Sequence, residues 1–564
     1  MGDDKPLRVA ANLNMSHLHI NVDDLHNFVL YEVEILLNQC SKSISDFALP
    51  SLPADLLADM ANRLIMEERN YDHAVLNTER LELERQMNSK PKQIYDLITS
   101  ASLNEQTEHV FVYGHGGTGK TFLRKAIITV LRSRGKIVLA VASSGIAYLL
   151  LPSGRTAHSR FKLPLVITDE SMCNGKKNTH MATLLQNTDL IVWEEAPMND
   201  KRCFEALDRS LRDILGNTEE FFGDKRRKSA ILGACITTSH LWQQFKVFIL
   251  AENMRLLTPG LTPSMRVKNV EFSKWLLRVG NGEIGLPDTE DPLNSRWVQI
   301  PDQFCIPDDE NGLANLISFI YPRESLQNPS AVDLQQKAIV CPKNDAADTI
   351  NSLIVDMVDG PVTTYCSYDT ATPHGNDSGE AELFYPEEYL NTLNYPGLPP
   401  HELHLKKGVP AILLRNINIA GGLCNGTRMI ITQMLAKSVE AEIIMGTRVG
   451  EMVFFPRMSL INKEPTLPFI LKRQQFSLKI SYAMTINKSQ GQSLNQIGVY
   501  LLKPLFGHGQ LYVALSRATS PGGLKLLIKK HEDHGPNVTK NIVYTDFLSA
   551  ITDFEAAPPA CSTC

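Results

Sequence analysis

No apolar run in this sequence is long enough to cross a bilayer. The longest, IVLAVASSGIAYLLL (137–151), is interrupted by serine and glycine, whereas a spanning helix needs about 20 predominantly apolar residues. Cysteine is sparse: ten are scattered along 564 residues, and only Cys561 and Cys564 stand close together. That gives no disulfide framework and suits a reducing compartment. An excess of positive charge is missing too. Lys and Arg number 56 against 62 Asp and Glu, a net charge of -6, so any nucleic-acid surface has to be a local groove. The opening MGDDKP has no charged-then-apolar leader and no Ser/Thr for a myristoylation signal, and the closing CSTC lacks the aliphatic middle of a prenylation box. These absences predict a soluble intracellular protein with no membrane partner. What is present is ordinary globular composition, 43% hydrophobic and 21% charged. The length suffices for about three or four domains, each with its own core.

The strongest positive signal lies in HVFVYGHGGTGKTFLRKAIITVLRSRGKIVLAVA (109–142). A β-branched and aromatic run leads into Gly114, His115, Gly116, Gly117, Thr118, Gly119, Lys120 and Thr121. An amphipathic helical stretch follows to Arg134, Gly135 stops it, and a second apolar strand begins. G-x-x-x-x-G-K-[ST] between a strand and a helix is a phosphate cradle. Backbone N–H groups of the turn converge on phosphate oxygens at the helix N-terminus, Lys120 reaches the terminal phosphates, and the Thr121 hydroxyl binds Mg²⁺. A chance glycine-rich turn would not also supply the strand, the Lys-Thr pair and the helix. ATP and Mg²⁺ are the expected cofactors.

DLIVWEEAPMNDK (189–201) runs an apolar stretch into two adjacent carboxylates, and carboxylates at a buried strand end need partners. In P-loop ATPases an acid at the end of a second parallel strand holds the Mg²⁺ shell, and a neighbour positions the attacking water. Glu195 is then the candidate catalytic base, and Glu194 the metal ligand in a place where Asp is usual. Its extra methylene is expected to displace the metal, and a displacement of about 1 Å can cost on the order of a hundredfold in rate. VASSGIAYLLLPSGRTAHSRFKLP (141–164) supplies Ser143, Ser144, Thr156, His158 and Ser159, which suit a phosphodiester backbone or an ordinary polar loop. LKRQQFSLKISYAMTINKSQGQSL (471–494) brings Thr485, Asn487, Lys488, Ser489 and Gln490, and FGHGQLYVALSRATS (506–520) carries Arg517. A second α/β pattern starts at KAIVCPKNDAADTINSLIVDMV (337–358).

In order along the chain stand YGHGGTGKTF, SSGIAYLLLPSGRTAHSRF, NMRL, LPPHELHLKKGVPAILLRN, GLCNGTR, TINKSQGQS and GQLYVALSRA. Together they resemble the petite-integration-frequency family of superfamily 1 DNA helicases. More narrowly, they are similar to the helicase part of Helitron rolling-circle transposons and their plant relatives. The resemblance runs from about residue 25 to about residue 530. It implies an α/β fold: two RecA-like P-loop NTPase cores, an SH3-like β-barrel insertion in the second, and an N-terminal helical extension. ATP is expected between the cores and single-stranded DNA across both. Carried onto this chain, Gly114, Gly116, Gly117, Thr118, Gly119, Lys120 and Thr121 hold the nucleotide together with Gln490, and Thr121 and Glu194 hold Mg²⁺. Glu195 activates water. Arg255 in ENMRL and Arg517 in LSRA reach the γ-phosphate, and such arginines are worth about 10³ to 10⁵ in rate elsewhere. Ser143, Ser144, Thr156, His158, Thr485 and Asn487 face the nucleic acid. The implied activity is ATP-driven 5′-to-3′ unwinding by a monomer in the nucleus. Single-stranded DNA and duplex junctions are its partners, as in DNA repair, recombination, telomere maintenance or transposition.

The expected boundaries are an N-terminal helical extension (1–85), a first core (86–260), a connecting segment (261–330), a second core (331–400 and 470–535), the inserted barrel (401–469) and a tail (536–564). Three departures from the family pattern stand out. Glu194 replaces Asp. NSKPKQIY (88–95) puts Pro91 where an adenine-reading Gln is expected, with Gln93 two residues late. LRDILGNTEEFFGDKRRKSAILGACITTSHLWQQFKVFILAENMRL (211–256) lacks the family's strand ending in Gly-Asp-x-x-Gln: Gly223-Asp224 is followed by KRRK. A strand and its γ-phosphate sensor are therefore expected to be deleted, leaving neighbouring strands unpaired. The competing reading is a relic helicase that binds ATP or DNA with little or no unwinding. An unrelated P-loop kinase or GTPase leaves TINKSQGQS and YVALSRA without an account. KRRK (225–228) reads as a nuclear localisation run or a solvated loop. HLH (17–19) reads as an ordinary strand. HELH (401–404) lacks the two-residue gap of a zinc-protease helix, so no metal is expected there.

Overall fold

In the computed structural model of the chain, residues 68–104 are described, as are most of 106–545. The exceptions in that range are 107, 144–146, 149–150, 165–166, 174–179, 197–198, 217–238, 255–259, 261, 374–384, 396, 419–421, 447, 463–468 and 531–533. Before residue 68 only 30, 33, 44, 49–50 and 64–65 are described. HLH, KRRK and Gly223-Asp224 therefore lie outside the described residues, as do Ser144 and Arg255. Of the expected N-terminal extension, the described helix is α1 (His73–Arg85), whose first amides bond the Asp72 carboxylate. Among the described residues no helix is long and apolar enough to cross a membrane.

The first core opens with α2 (Ser89–Leu103) and β1 (Val110–Gly114), followed by α3 (Lys120–Ser133) and β2 (Val138–Ala142). Next come β3 (Arg155–Thr156), α4 (Ala157–Phe161) and β4 (Leu190–Glu194), then α5 (Lys201–Leu215) and β5 (Lys246–Leu250). Side chains alternate across its strands, as the two-residue period requires. Phe111, Leu139, Val141, Ile191 and Trp193 join one apolar cluster, while Val110, Val138, Ala140, Leu190 and Val192 join the other. Helices cover both faces, which is why these strands read as continuous apolar runs. The sheet is in two pieces. β1 pairs with β5, and β2 pairs with β3 and β4, all parallel. Among the described residues no strand joins β1 to β4. Residues 217–238, where the sequence lacks the strand ending in Gly-Asp-x-x-Gln, lie outside the described residues.

The second core is an all-parallel sheet ordered β20-β9-β21-β22-β8: β8 (Cys305–Ile306), β9 (Lys337–Cys341), β20 (Ala483–Thr485), β21 (Gln496–Leu501) and β22 (Leu524–Ile528). The segment expected to be a mere connection, 261–330, is part of this body. Helix α6 (Pro263–Gly280) buries Phe272, Leu276 and Val279 on one face of the sheet, α7 (Gly312–Ile320) buries Leu316, Ile317 and Ile320 on the other, and β8 supplies an edge strand. The expected tail also begins inside the fold, because β23 (Val538–Ile542) pairs with β7 (Ser295–Gln299), which pairs with β6 (Leu286–Pro287). Helix α8 (Gln510–Leu515) precedes Arg517.

Between β9 and β20 the chain builds antiparallel sheets. One has the order β16-β15-β14-β13-β19, from β13 (Pro410–Leu413), β14 (Arg428–Met434), β15 (Ser438–Ile443), β16 (Met452–Pro456) and β19 (Leu478–Ile480). β10 (Thr363–Cys366) pairs with β12 (Glu402–Leu405), and β18 (Phe469–Gln475) pairs with β11 (Tyr368–Pro373) and β17 (Met458–Asn462). This region thus starts before 401 and ends after 469, and among the described residues its five-stranded sheet is open rather than closed on itself. Local patterning shows strands here but not which distant strand completes each sheet.

Candidate functional site

The phosphate cradle is built by the end of β1 and the start of α3. Gly117 and Gly119 take left-handed φ values of 89° and 85°, which only glycine adopts at little cost. They turn the chain so that helix α3 begins at Lys120. Thr118 donates its hydroxyl to the His115 carbonyl at 2.9 Å, and the Met254 amide, just after β5, donates to the Gly117 carbonyl at 2.8 Å. The Lys120 ammonium donates to the carbonyl oxygens of Gly114 and His115, the latter at 3.0 Å. Thr121 is exposed in the first turn of α3. Burial and the nearby Lys120 lower the His115 pKa, keeping the ring neutral at neutral pH.

Glu194 ends β4 and Glu195 follows it in the turn. Glu195 has φ 50°, a left-handed conformation that costs a non-glycine residue of order 1–3 kcal/mol. Its carboxyl is pushed up in pKa by burial, against the pull of Arg517, Arg124 and Lys120 and a hydrogen bond with Gln490. One Glu195 carboxylate oxygen is buried without a hydrogen-bond partner. Arg517 is buried, donating from Nε to the Val513 carbonyl at 2.9 Å and from Nη1 to the Gln492 carbonyl at 3.1 Å. Glu195 from the first core therefore faces Gln490 and Arg517 from the second. A further bridge joins the cores: the Gly116 amide donates to the Tyr512 hydroxyl at 2.8 Å. A Cβ on Gly280 would stand 2.8 Å from the Tyr512 ring, so glycine there lets α6 admit that side chain.

Glu194, the residue expected to hold Mg²⁺, lies against Arg124. This arginine sits four residues after Lys120 on the same helix face and is buried. Its guanidinium is in direct contact with the Glu194 carboxylate, and its Nε donates to the Lys120 carbonyl at 3.1 Å. The chemistry of the donor set therefore fits a nucleotide phosphate, through amides, Lys120 and Arg517. For Mg²⁺ it offers the Thr121 hydroxyl and the Glu194 carboxylate, one oxygen of which is buried without a hydrogen-bond partner and which shares its surroundings with Arg124.

The candidate DNA contacts come from both cores. The Ser143 hydroxyl accepts from Trp193 Nε1 at 3.2 Å and lies 3.4 Å from the Glu194 carbonyl, so it is engaged within the sheet. Thr156 caps α4, its hydroxyl accepting from the Ser159 amide at 3.3 Å. Burial lowers the His158 pKa. Thr485 is half-buried at the end of β20 and Asn487 is exposed in the turn after it. The structure brings Lys120, Glu195, Gln490 and Arg517 together, and the pairing of Ala142 with Thr156 sets Ser143 beside Thr156. Gln93 is exposed on α2, whereas Asn88, just before that helix, donates to Glu252 at 3.0 Å close to the end of β5. Sequence reasoning missed Arg124 and Tyr512. The four-residue spacing from Lys120 was the available signal for the first; nothing local marks the second.

Residues 86–290 match the model of a family described as PIF1-like helicase, and residues 388–434 match one described as DNA helicase Pif1, 2B domain. The chain is 25% identical over 451 residues to the ATP-dependent DNA helicase Pif1 of Campylobacter jejuni, covering 76% of this chain and 90% of that one. It is 23% identical over 460 residues to the ATP-dependent DNA helicase PIF1 of Xenopus laevis, of which it spans 64%. Its fold resembles Pif1 helicase from Bacteroides in complex with ADP-AlF3 and ssDNA, with a TM-score of 0.57 at 19% identity, covering 84% of this chain and 98% of that one. Pif1 helicase from Candida albicans is alike in fold, with a TM-score of 0.56 at 20% identity, covering 83% and 99%.

Proposed function

We propose, from the premise that the chain belongs with the PIF1-like helicases, that it is an ATP-dependent DNA helicase moving 5′ to 3′ on single-stranded DNA. The observation that carries this reading is the meeting of Glu195 with Gln490 and Arg517 across the cleft above the phosphate cradle. Hydrolysis then needs groups from both cores, so each turnover is tied to their approach and separation, which is how an ATPase moves along a strand.

The chemistry follows from the residues. Amides of the Gly116–Lys120 turn and the Lys120 ammonium bind the β- and γ-phosphates, and Lys120 must leave its two carbonyl partners to do so. Burial makes the Glu195 carboxylate a stronger base than an exposed one, and its unpartnered oxygen can take a proton from a water at the γ-phosphate. Arg517 stabilises the charge that develops there. Mg²⁺ enters as the ion that accompanies ATP, with Thr121 to hold it.

The finer placement, with plant Helitron-type helicases in the nucleus and acting as a monomer, rests on the motif resemblance, SSGIAYLLLPSGRTAHSRF and TINKSQGQS above all. A second reading, a helicase that has lost unwinding, is favoured by the absence of Gly-Asp-x-x-Gln from the sequence and of a strand joining β1 to β4 among the described residues. Strand displacement on duplexes with a 5′ or a 3′ single-stranded tail separates the two. The proposal expects displacement from the 5′ tail only; nucleotide hydrolysis with no displacement from either tail would favour the second reading.

A further inference from the structure

HELH (401–404) lies on a strand, not a helix, and a strand places different residues together. In the pairing of β10 with β12, Cys366 stands opposite Glu402 and Thr364 opposite His404. Tyr365, Leu403 and Leu405 point into the core, so Thr364, Cys366, Glu402 and His404 share the exposed face. Cys366 is the exposed cysteine among the described free ones. Its sulfur, a His401 ring nitrogen and a Glu402 carboxylate oxygen all lie within 4.8 Å of one another. His404 Nε2 is 3.4 Å from the same Glu402 carboxylate, and its Nδ1 is 2.9 Å from the Thr364 hydroxyl.

The surroundings prepare His401 as a ligand. Its Nδ1 is 2.8 Å from the Ser367 hydroxyl, and that hydroxyl donates its proton to Asp369 at 2.9 Å. Asp369 is buried and fixed by Arg473, which donates to it from Nε and Nη2. With the Ser367 proton spent on Asp369, Nδ1 must donate to Ser367. Nε2 is then the ring nitrogen that keeps its lone pair, the tautomer a metal requires.

We propose that Cys366, His401 and Glu402 bind one divalent cation of the Zn²⁺ class, and that His404, which stands beside Glu402 but outside that trio, swings in as the fourth ligand. A thiolate with imidazole and carboxylate selects such an ion over Mg²⁺ or Ca²⁺. Around a tetrahedral Zn²⁺ these ligand atoms stand about 3.5 Å apart, so rotation of the exposed Cys366, Glu402 and His404 side chains toward the fixed His401 ring closes the site. Four protein ligands leave no open position for catalysis. The ion clamps β10 to β12 at the base of the connection between them, a structural role separate from the nucleotide cleft.

Co²⁺ and Zn²⁺ titration of the full chain, stripped with chelator and carrying Cys561→Ser and Cys564→Ser to remove the terminal cysteine pair, tests this. One equivalent of Co²⁺ should bind with a near-ultraviolet sulfur-to-cobalt charge-transfer band. Cys366→Ser should abolish that band while far-ultraviolet circular dichroism and ATP binding stay as in the parent. Ser367→Ala, which touches no metal, should weaken Zn²⁺ binding by about 10- to 100-fold through the ring it orients. An identical band and stoichiometry in Cys366→Ser, or no Co²⁺ bound at stoichiometric concentration, would overturn the site.

Discussion

Arg124 and Glu194 touch inside the first core with 8% and 15% of their side chains exposed. Burial drives the Arg124 pKa down, although a guanidinium keeps its charge at neutral pH. Removing one member of such a pair leaves the other charge buried alone, which costs about 3–5 kcal/mol. Arg124→Leu should therefore destabilise the chain by about that amount in urea unfolding, while Arg124→Met with Glu194→Met should be close to neutral. Equal losses in both would mean the pair contributes nothing beyond packing. The two glutamates were legible in WEEAP because an apolar run ending in acids needs a reason. Arg124 was not, since an arginine on an amphipathic helix reads as a solvent-facing residue until the neighbouring strand is in place. Nor could the sequence foretell the positive φ of Glu195, which depends on the turn leaving β4.

At the scale of elements, no strand among the described residues joins β1 to β4 in the first core. β4 is buried along four of its five residues, and buried backbone polar groups without partners cost about 1–3 kcal/mol each. Inserting a strand that ends in Gly-Asp-x-x-Gln after Gly223 should raise the thermal midpoint by at least about 2–4 °C, and should raise ATP turnover more than Glu194→Asp does. Glu194→Asp leaves Arg124 in place, so metal geometry alone is little improved. A lower midpoint after insertion would show that residues 217–238 already serve that edge. Strands and the phosphate-binding turn were readable from β-branched and apolar runs and from glycine placement. The second core's true extent was not: β8 is two residues long and β23 lies in what reads as a tail. Only long-range pairing identifies either as a strand.

Across the whole molecule, the cores meet through groups that the nucleotide also needs. The Gly116 amide belongs to the phosphate cradle, yet it donates to Tyr512 of the second core at 2.8 Å. Phosphate and tyrosine therefore compete for one N–H. A hydrogen bond contributes about 0.5–1.5 kcal/mol net, so Tyr512→Phe should tighten ATP binding by roughly 2- to 10-fold. Weaker binding in that variant would mean the hydroxyl holds the nucleotide instead of opposing it. The central claim is broader: one ATP site made by both cores is coupled to single-stranded DNA. Steady-state ATP turnover of the intact chain, with and without single-stranded DNA and beside Lys120→Ala, tests it most directly. The account predicts a slow basal rate that rises modestly on adding single-stranded DNA and disappears in Lys120→Ala. Turnover indifferent to DNA, or undiminished without Lys120, would contradict it.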